Sequence, residues 1–169
     1  MTAQLEIIER LKNFALFEDI AHDDEKMAKV AGILKSQTIK SGEYIFKQGD
    51  HGEELFILMS GAVRVCKNTK QNEEYTIVDL KAEYNVFFGE VALMDSDERS
   101  ASIKVLEDCD VLVMAKDDFT RLGNEHPEIG LPITRVIVKR ICSNLRNVNN
   151  DVILLFDALV NEIENTQLQ

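Results

Sequence analysis

The hydrophobic pattern of this chain changes period after Lys35, and that change constrains the fold more than any other sequence feature. Before it, apolar residues recur at the spacing of a helix, at Leu5, Ile8, Leu11 and Phe14. After it come short segments rich in β-branched and aromatic residues, separated by glycines or acidic clusters. Short strands at such spacing are typical of an antiparallel roll, barrel or sandwich. We therefore predict an α+β fold with a sheet structure at its centre.

The strand pattern is confined to the middle of the chain. The predicted strands are Tyr44–Phe46, Leu55–Met59, Ala62–Cys66, Tyr75–Leu80, Ser100–Val105 and Val111–Met114. We expect an N-terminal helical segment at 1–36, a β-roll at 37–116 and C-terminal helices at 117–169, together forming one domain. Asp23 or Asp24 is expected to cap a second N-terminal helix. The apolar residues of that helix are Met27, Val30, Ile33 and Leu34.

The C-terminal region carries a long helical pattern. Asp117 is expected to cap a short first helix that ends near Gly123, and Pro127 can open a longer one. Pro132 should kink or restart that helix, because proline has no N–H to donate. The apolar positions then step alternately by three and four residues, as in a heptad seam. They are Val138, Ile141, Leu145, Val148, Val152, Leu155 and Leu159.

This seam predicts a partner helix. β-branched residues recur at one set of seam positions (Ile141, Val148) and Leu at the other (Leu145, Leu159), and we interpret this alternation as that of two parallel strands and hence of a homodimer. The alternative is that the seam packs against the roll of the same chain.

Composition excludes several classes of protein. Lys and Arg number 19 against 30 Asp and Glu, for a formal net charge of −11. Binding to duplex DNA needs a surplus of positive charge, so nucleic acid is not an expected partner. No apolar run approaches the ~20 residues of a membrane span. Three cysteines in unrelated contexts fit the reducing cytoplasm better than a disulfide framework. The three histidines show no close pair, so we expect no metal site. No carboxylate pair, Ser–His set or Cys–His set has a recognisable spacing, so we expect no catalytic site.

The strongest chemical signal lies between Phe87 and Ile103. Gly89 can open a tight turn, a short helical stretch follows, and Arg99 returns at the start of a strand. Free N–H groups at a helix N-terminus together with a guanidinium form a good anion site. Glu90 would repel an anion there unless it has another task, such as accepting a hydrogen bond from a sugar hydroxyl.

This segment resembles the phosphate-binding cassette of cyclic nucleotide-binding domains. The matching residues are Gly89, Glu90, Ala92 and Leu93, followed by Arg99, Ser100 and Ala101. The upstream stretches 41–50 and 55–65 also resemble the first strands of that family. The resemblance implies an antiparallel, jelly-roll-like double-stranded β-helix with N-terminal helices and a long C-terminal helix.

The resemblance also implies a ligand and its contacts. Arg99 would pair with the cyclic phosphate, and Glu90 would accept a hydrogen bond from the ribose 2′-OH. Asn144 on the long helix would contact the base, where its amide can both donate and accept. The match at Glu98 to Ala101 favours cAMP over cGMP. The implied ligand-binding residues are Gly89, Glu90, Val91, Ala92, Arg99, Ser100, Ala101 and Asn144.

Two features of the sequence depart from that family. The segment 81–86 before the cassette is longer than the family's usual turn and has no glycine, so we expect a reshaped entrance loop. Asp95, Asp97 and Glu98 lie just before Arg99. Facing the pocket, these carboxylates would weaken anion binding or pair with Arg99 in advance.

On this resemblance we expect a non-catalytic, cytoplasmic sensor of a cyclic mononucleotide. Ligand binding would shift the population between two helix packings and so signal to an unknown downstream protein. One alternative is an interaction dimer on the same fold that has lost nucleotide affinity. Another is the regulatory half of a truncated transcription factor, which the end of the chain soon after the long helix disfavours.

Overall fold

The computed structural model describes residues 2–71, 73–95 and 98–167. Its helices are α1 (Thr2–Leu11), α2 (Asp24–Ile33), α3 (Lys116–Glu125) and α4 (Pro127–Gln167). Its strands are β1 (Leu34–Ile39), β2 (Tyr44–Phe46), β3 (Glu54–Leu58), β4 (Ala62–Asn68), β5 (Glu74–Lys81), β6 (Phe87–Phe88), β7 (Ser102–Glu107) and β8 (Cys109–Ala115). Short 3₁₀ turns occupy Ala15–Phe17, Ala82–Tyr84 and Glu90–Leu93.

The described strands form two antiparallel sheets, with orders β1-β8-β3-β6 and β2-β7-β4-β5. Strands that follow one another in sequence often lie in different sheets, so the chain crosses between the sheets as it winds. This is the roll that the resemblance implied, and the predicted α+β class is confirmed.

Strand β3 separates the two hydrophobic cores of the molecule. Leu55 and Ile57 pack with the helices, while Phe56 and Leu58 face the interior of the roll. Successive side chains of a strand point to opposite faces, so a strand buried on both faces needs an uninterrupted apolar run. The apolar sequence that predicted this strand therefore follows from its position between the cores.

The boundary between α2 and β1 differs from the sequence prediction. Asp23 caps α2 as predicted, because its carboxylate accepts a hydrogen bond from the backbone N–H of Lys26 at 3.1 Å. Leu34, however, is the first residue of β1 and not part of the helix, so that part of the prediction is wrong. Strand β1 pairs along its whole length with β8, although positions 35–38 are exposed and polar. Residues 34–39 are extended because they pair with the distant strand β8. The local periodicity of the sequence does not indicate that pairing.

Helices α3 and α4 cross closely at two glycines. A Cβ on Gly130 would lie 2.5 Å from the Cα of Gly123, so a larger residue does not fit there without movement. Helix α3 begins one residue before Asp117, which lies in the first turn and not at the predicted cap. The helix also continues past Gly123 to Glu125. The close crossing holds the start of α4 beside the roll.

Helix α4 runs through Pro132 without a break, so a restart is wrong, whereas a kink at Pro132 stays a prediction. An interior proline costs about 3 kcal/mol through its missing hydrogen bond and its steric clash. Against this, Ile129, Ile133 and Ile137 are completely buried in the core on the same helix. Burying each such side chain contributes roughly 1.5–3 kcal/mol, so packing on both sides of the proline outweighs the loss.

The C-terminal half of α4 extends away from the roll. Every residue from Cys142 to Ile163 is exposed, including the seam residues Leu145, Val148, Val152, Leu155 and Leu159. The alternative that this part of the seam packs against the chain's own roll is therefore wrong. In the described residues, α4 and the other helices lack an apolar stretch long enough to cross a membrane.

Candidate ligand-binding site

The cassette begins with a glycine that no other residue could replace without strain. Gly89 has a φ of 77°, in the left-handed region. A Cβ there would lie 2.8 Å from Nη1 of Arg99 and 3.0 Å from the backbone oxygen of Glu54. The helical stretch that follows is a single 3₁₀ turn, Glu90–Leu93. The positive φ and the close approach together turn the chain so that its next residues face a cavity.

Arg99 is buried and held from several sides. Its Nη1 donates to the backbone oxygens of Glu54 at 2.9 Å and Gly89 at 3.3 Å, and its Nη2 donates to the carboxylate of Glu54 at 3.1 Å. Its guanidinium lies 4.2 Å from the ring centroid of Phe46, and its side chain is only 4% exposed. Burial lowers the pKa of Arg99, and the negative charges of Glu54 and Asp50 oppose that shift. Because an arginine starts from such a high pKa, the group stays positively charged.

A carboxylate that the sequence did not single out pairs with Arg99. Glu54, at the start of β3, is the partner. Asp95 and Glu98 line the cavity, and Asp97 lies outside the described residues. Sequence reasoning missed Glu54 because it is distant from Arg99 along the chain. The available signal was a carboxylate at the start of a strand that is buried on both faces.

Glu90 connects the cassette to α4. Its side chain is 9% exposed, and its Oε1 lies 3.3 Å from Nε of Arg140. The guanidinium of Arg140 also lies over the ring of Phe87, 4.3 Å from the centroid. The sequence did not single out this pair, because nothing local indicates which turn of the long helix will face the cassette.

A cavity of about 410 Å³ lies between the roll, the cassette and α4. Small-molecule sites commonly have volumes of roughly 300–1,000 Å³. All of the ligand contacts that the family resemblance implied line this cavity: Gly89, Glu90, Val91, Ala92, Arg99, Ser100, Ala101 and Asn144. One wall is apolar, and it consists of Val65, Ile77, Val78 and Leu80 from β4 and β5. The cavity therefore offers a buried arginine, a buried carboxylate and an apolar surface.

A β-bulge shapes the apolar wall. Val65 pairs with Val78 and Cys66 pairs with Thr76, so Ile77 is an extra residue on β5. Bulges redirect side chains, and here the two successive residues Ile77 and Val78 both line the cavity. Simple alternation along β5 would have placed one of them on the outside.

The segment before the cassette contains a short helical turn and a left-handed residue. Ala82–Tyr84 make a 3₁₀ turn, and Asn85 follows with a φ of 50°. Asparagine is among the few residues that tolerate this left-handed conformation, so it can stand where a glycine would be expected. Nη2 of Arg10 donates to the backbone oxygen of Ala82 at 2.7 Å, which ties this segment to α1.

Comparison with known proteins agrees with this geometry. The family model described as cyclic nucleotide-binding domain matches residues 36–126. Over 131 residues the chain is 28% identical to the cyclic AMP receptor protein of Thermus thermophilus, covering 78% of this chain and 59% of that protein. Over 123 residues it is 32% identical to human cGMP-dependent protein kinase 2, covering 70% of this chain and 15% of the kinase. The chain thus spans less than two thirds of either relative.

A solved structure shows the same architecture. The crystal structure of the Thermus thermophilus catabolite activator protein superimposes with a TM-score of 0.73 at 28% identity, covering 83% of this chain and 62% of that one. Family model, sequence relatives and fold therefore agree, and the chain belongs to the cyclic nucleotide-binding domain family.

Proposed function

We propose that the chain is a sensor for a 3′,5′-cyclic mononucleotide, with Arg99 as the phosphate contact and Glu90 as the acceptor for the ribose 2′-OH. One observation carries the proposal: a buried arginine and a buried carboxylate face the same cavity, beside an apolar wall. Burying ionisable groups is costly unless they are paired. A ligand with one anionic phosphate, one hydroxyl donor and one flat apolar ring system satisfies all three features at once.

The geometry of Arg99 suits a cyclic phosphodiester. Such a group carries one charge shared by two free oxygens, and the planar fork of an arginine matches that arrangement better than the point charge of a lysine. Three hydrogen bonds from the five N–H donors of a guanidinium already go to protein oxygens. Ligand oxygens would therefore take the remaining donors or displace the carboxylate of Glu54. Backbone N–H groups of the cassette and the hydroxyl of Ser100 complete the proposed phosphate contacts.

The signal would pass to α4 through Arg140 and Asn144. Arg140 is paired with Glu90, and both helix residues line the cavity. A nucleotide hydroxyl that binds Glu90 changes the electrostatic attraction that holds Arg140. The ligand then shifts α4 toward the position in which the protein binds it more tightly. The size of that shift is set by the difference between the ligand's affinities for the two positions of α4.

We favour cAMP over cGMP as the ligand, on the sequence match at Glu98 to Ala101. The wall formed by β4 and β5 is apolar, so polar contacts to the edge of the base would come from elsewhere. Asn144 lines the cavity from α4 and is the proposed base contact. In the proposed assembly two chains form a parallel homodimer through the exposed seam of α4, in the cytoplasm, and act on a downstream protein without catalysis.

Isothermal calorimetry with cAMP, cGMP and cyclic dinucleotides tests the proposal. We expect wild type to bind a cyclic mononucleotide and Arg99→Ala to bind it at least ~30-fold more weakly, since truncating one partner of a buried charge pair costs ~2–5 kcal/mol. Arg64→Ala is the matched control, because Arg64 pairs with Asp79 on the β4–β5 pair. The proposal fails if wild type does not bind at millimolar nucleotide, or if Arg99→Ala binds as well as wild type.

A second function is favoured by the pairing of Arg99 with Glu54. A chain whose phosphate-binding arginine is already neutralised, with Asp95 and Glu98 also lining the cavity, could serve as an interaction dimer without nucleotide affinity. The same calorimetry separates the two functions, because this second one requires no binding by wild type.

A further inference from the structure

Helix α4 carries a second apolar stripe beside the seam. Ile153, Phe156, Val160 and Ile163 are separated by three, four and three residues. Ile153, Phe156 and Val160 each directly follow a seam residue, so the second stripe lies about 100° further around the helix. The four side chains are 59%, 65%, 36% and 49% exposed. This part of α4 therefore presents two neighbouring apolar faces.

A two-stranded coiled coil can cover only one of these faces. Its seam uses two of every seven positions, whereas a helix in the core of a bundle has a wider apolar face. Ile153 and Val160 fall outside a seam that runs through Val152 and Leu159. The homodimer proposed above would leave both of them in water. An apolar surface that persists beside an interface marks a site for a further partner.

Charge indicates which helix could cover the second stripe. The segment 147–167 contains four acidic residues and no Lys or Arg. Asp157 is exposed and lies four residues after Ile153 and three before Val160, so it borders the second stripe. A partner helix with Lys or Arg beside its apolar residues complements this edge.

A second copy of the same segment does not fit this surface. It would bring the same acidic residues to the border, and like charges placed together across an interface are unfavourable. Most basic residues of α4 lie further back, where Ile133 and Ile137 are buried against the roll and Arg140 is paired with Glu90. Arg146 is exposed, but in a parallel copy it would face another Arg146 and not Asp157. A parallel second copy therefore brings no basic residue to the acidic border of the second stripe.

We propose that the second stripe, Ile153, Phe156, Val160 and Ile163, is a docking surface for an amphipathic helix of a different protein with basic residues along its border. This surface is separate from the nucleotide cavity and borders the dimer seam. It gives the proposed sensor a place at which a downstream protein can bind the helix that the ligand is expected to move.

The test measures binding of the full chain to two labelled synthetic helices by fluorescence anisotropy at physiological salt. One peptide combines leucine with lysine, and the other has the same leucine pattern with glutamate. We expect wild type to bind the lysine peptide at least about tenfold more tightly than the glutamate peptide. We expect the double variant Ile153→Ser, Val160→Ser to bind the lysine peptide at least about tenfold more weakly than wild type, since two buried apolar side chains are lost.

Leu154→Ser is the matched control. It removes an exposed apolar side chain that belongs to neither stripe, and it lowers helix propensity at least as much as either Ile→Ser or Val→Ser does. It should bind the lysine peptide as wild type does. Equal binding of that peptide by wild type and the double variant would overturn the proposal, because charge alone would then explain the binding. Equal binding of the two peptides by wild type would overturn it as well.

Two further outcomes would assign the surface to another occupant and so reject the proposal. Light scattering that shows a wild-type tetramer, converted to a dimer by the double variant, would assign the second stripe to a second copy. Binding to phosphatidylcholine vesicles that the double variant abolishes would assign it to a lipid surface. Nucleotide binding is measured separately by calorimetry, so failure of the sensor function and failure of the docking surface give different results.

Discussion

Arg140 and Glu90 join the long helix to the cassette by an ion pair of 3.3 Å at the edge of the cavity. Glu90 is the proposed acceptor for the ribose hydroxyl, so the residue that would bind the ligand also forms the ion pair with α4. Arg140 is further fixed by its position over the ring of Phe87. Arg140 makes both contacts, and it lies one helical turn before Asn144. A change in the cavity at Glu90 therefore acts directly on this part of α4.

Arg140→Gln should uncouple α4 from the cavity, because glutamine carries no charge for Glu90 to attract. Cys142 is exposed on α4 whereas Cys66 and Cys109 are buried, so a maleimide fluorophore can be attached selectively beside Arg140. We expect a change of emission on adding cAMP to wild type and a smaller change in Arg140→Gln. Lys139→Gln removes the same charge one residue away and should respond as wild type does. An undiminished response in Arg140→Gln would show that the ion pair does not transmit binding.

Glu54→Gln should strengthen nucleotide binding. The substitution keeps an oxygen that can accept from Arg99 but removes the negative charge that competes with the phosphate. Glu54 is 45% exposed, and partly exposed ion pairs contribute about 0.2–1 kcal/mol, so we expect up to roughly fivefold tighter binding by calorimetry.

Glu53→Gln is the control for that measurement, since it makes the same change of charge on the neighbouring residue. Its affinity should stay near that of wild type. Weaker binding by Glu54→Gln would mean that the carboxylate positions Arg99 for the ligand and does not compete with it.

Asn144→Ala should alter the preference between cAMP and cGMP. A lost hydrogen bond to the base changes the ratio of the two affinities by ~1 kcal/mol, or roughly fivefold, and should leave the phosphate contacts intact. Asn147→Ala removes the same amide nearly one turn further along α4 and should leave the ratio unchanged. An unaltered ratio in Asn144→Ala would remove this residue from the base site.

Replacing Val148 and Val152 by Asp should yield monomers. In a parallel dimer these side chains face their counterparts, so the substitutions would bury like charges opposite one another. Light scattering at tens of micromolar is the measurement. The double variant Asn147→Asp, Asn150→Asp adds two charges on the opposite side of α4 and should remain dimeric. A monomeric wild type would refute the proposed dimer.

Local sequence patterns were sufficient for much of the fold. The cap at Asp23, the turn at Gly89 and most of the strands depend on the backbone preferences of a few adjacent residues, which the sequence displays directly. The family resemblance added the candidate ligand contacts, and these residues line one cavity. The same local reasoning failed for Leu34, which pairs with β8 as the first residue of β1, and for a helix restart at Pro132, where burial of neighbouring isoleucines outweighs local preference.

The sequence by itself determined the family, the cassette and the apolar stripes of α4, because each is a spacing of residue types along the chain. Tertiary structure alone decided that Glu54 pairs with Arg99, that Arg140 pairs with Glu90 and that Ile77 joins the apolar wall. Each of these contacts joins distant parts of the chain or depends on the register of two paired strands. The sheet topology and the docking of α4 bring such partners together, and no local pattern of side chains encodes which distant residue will arrive.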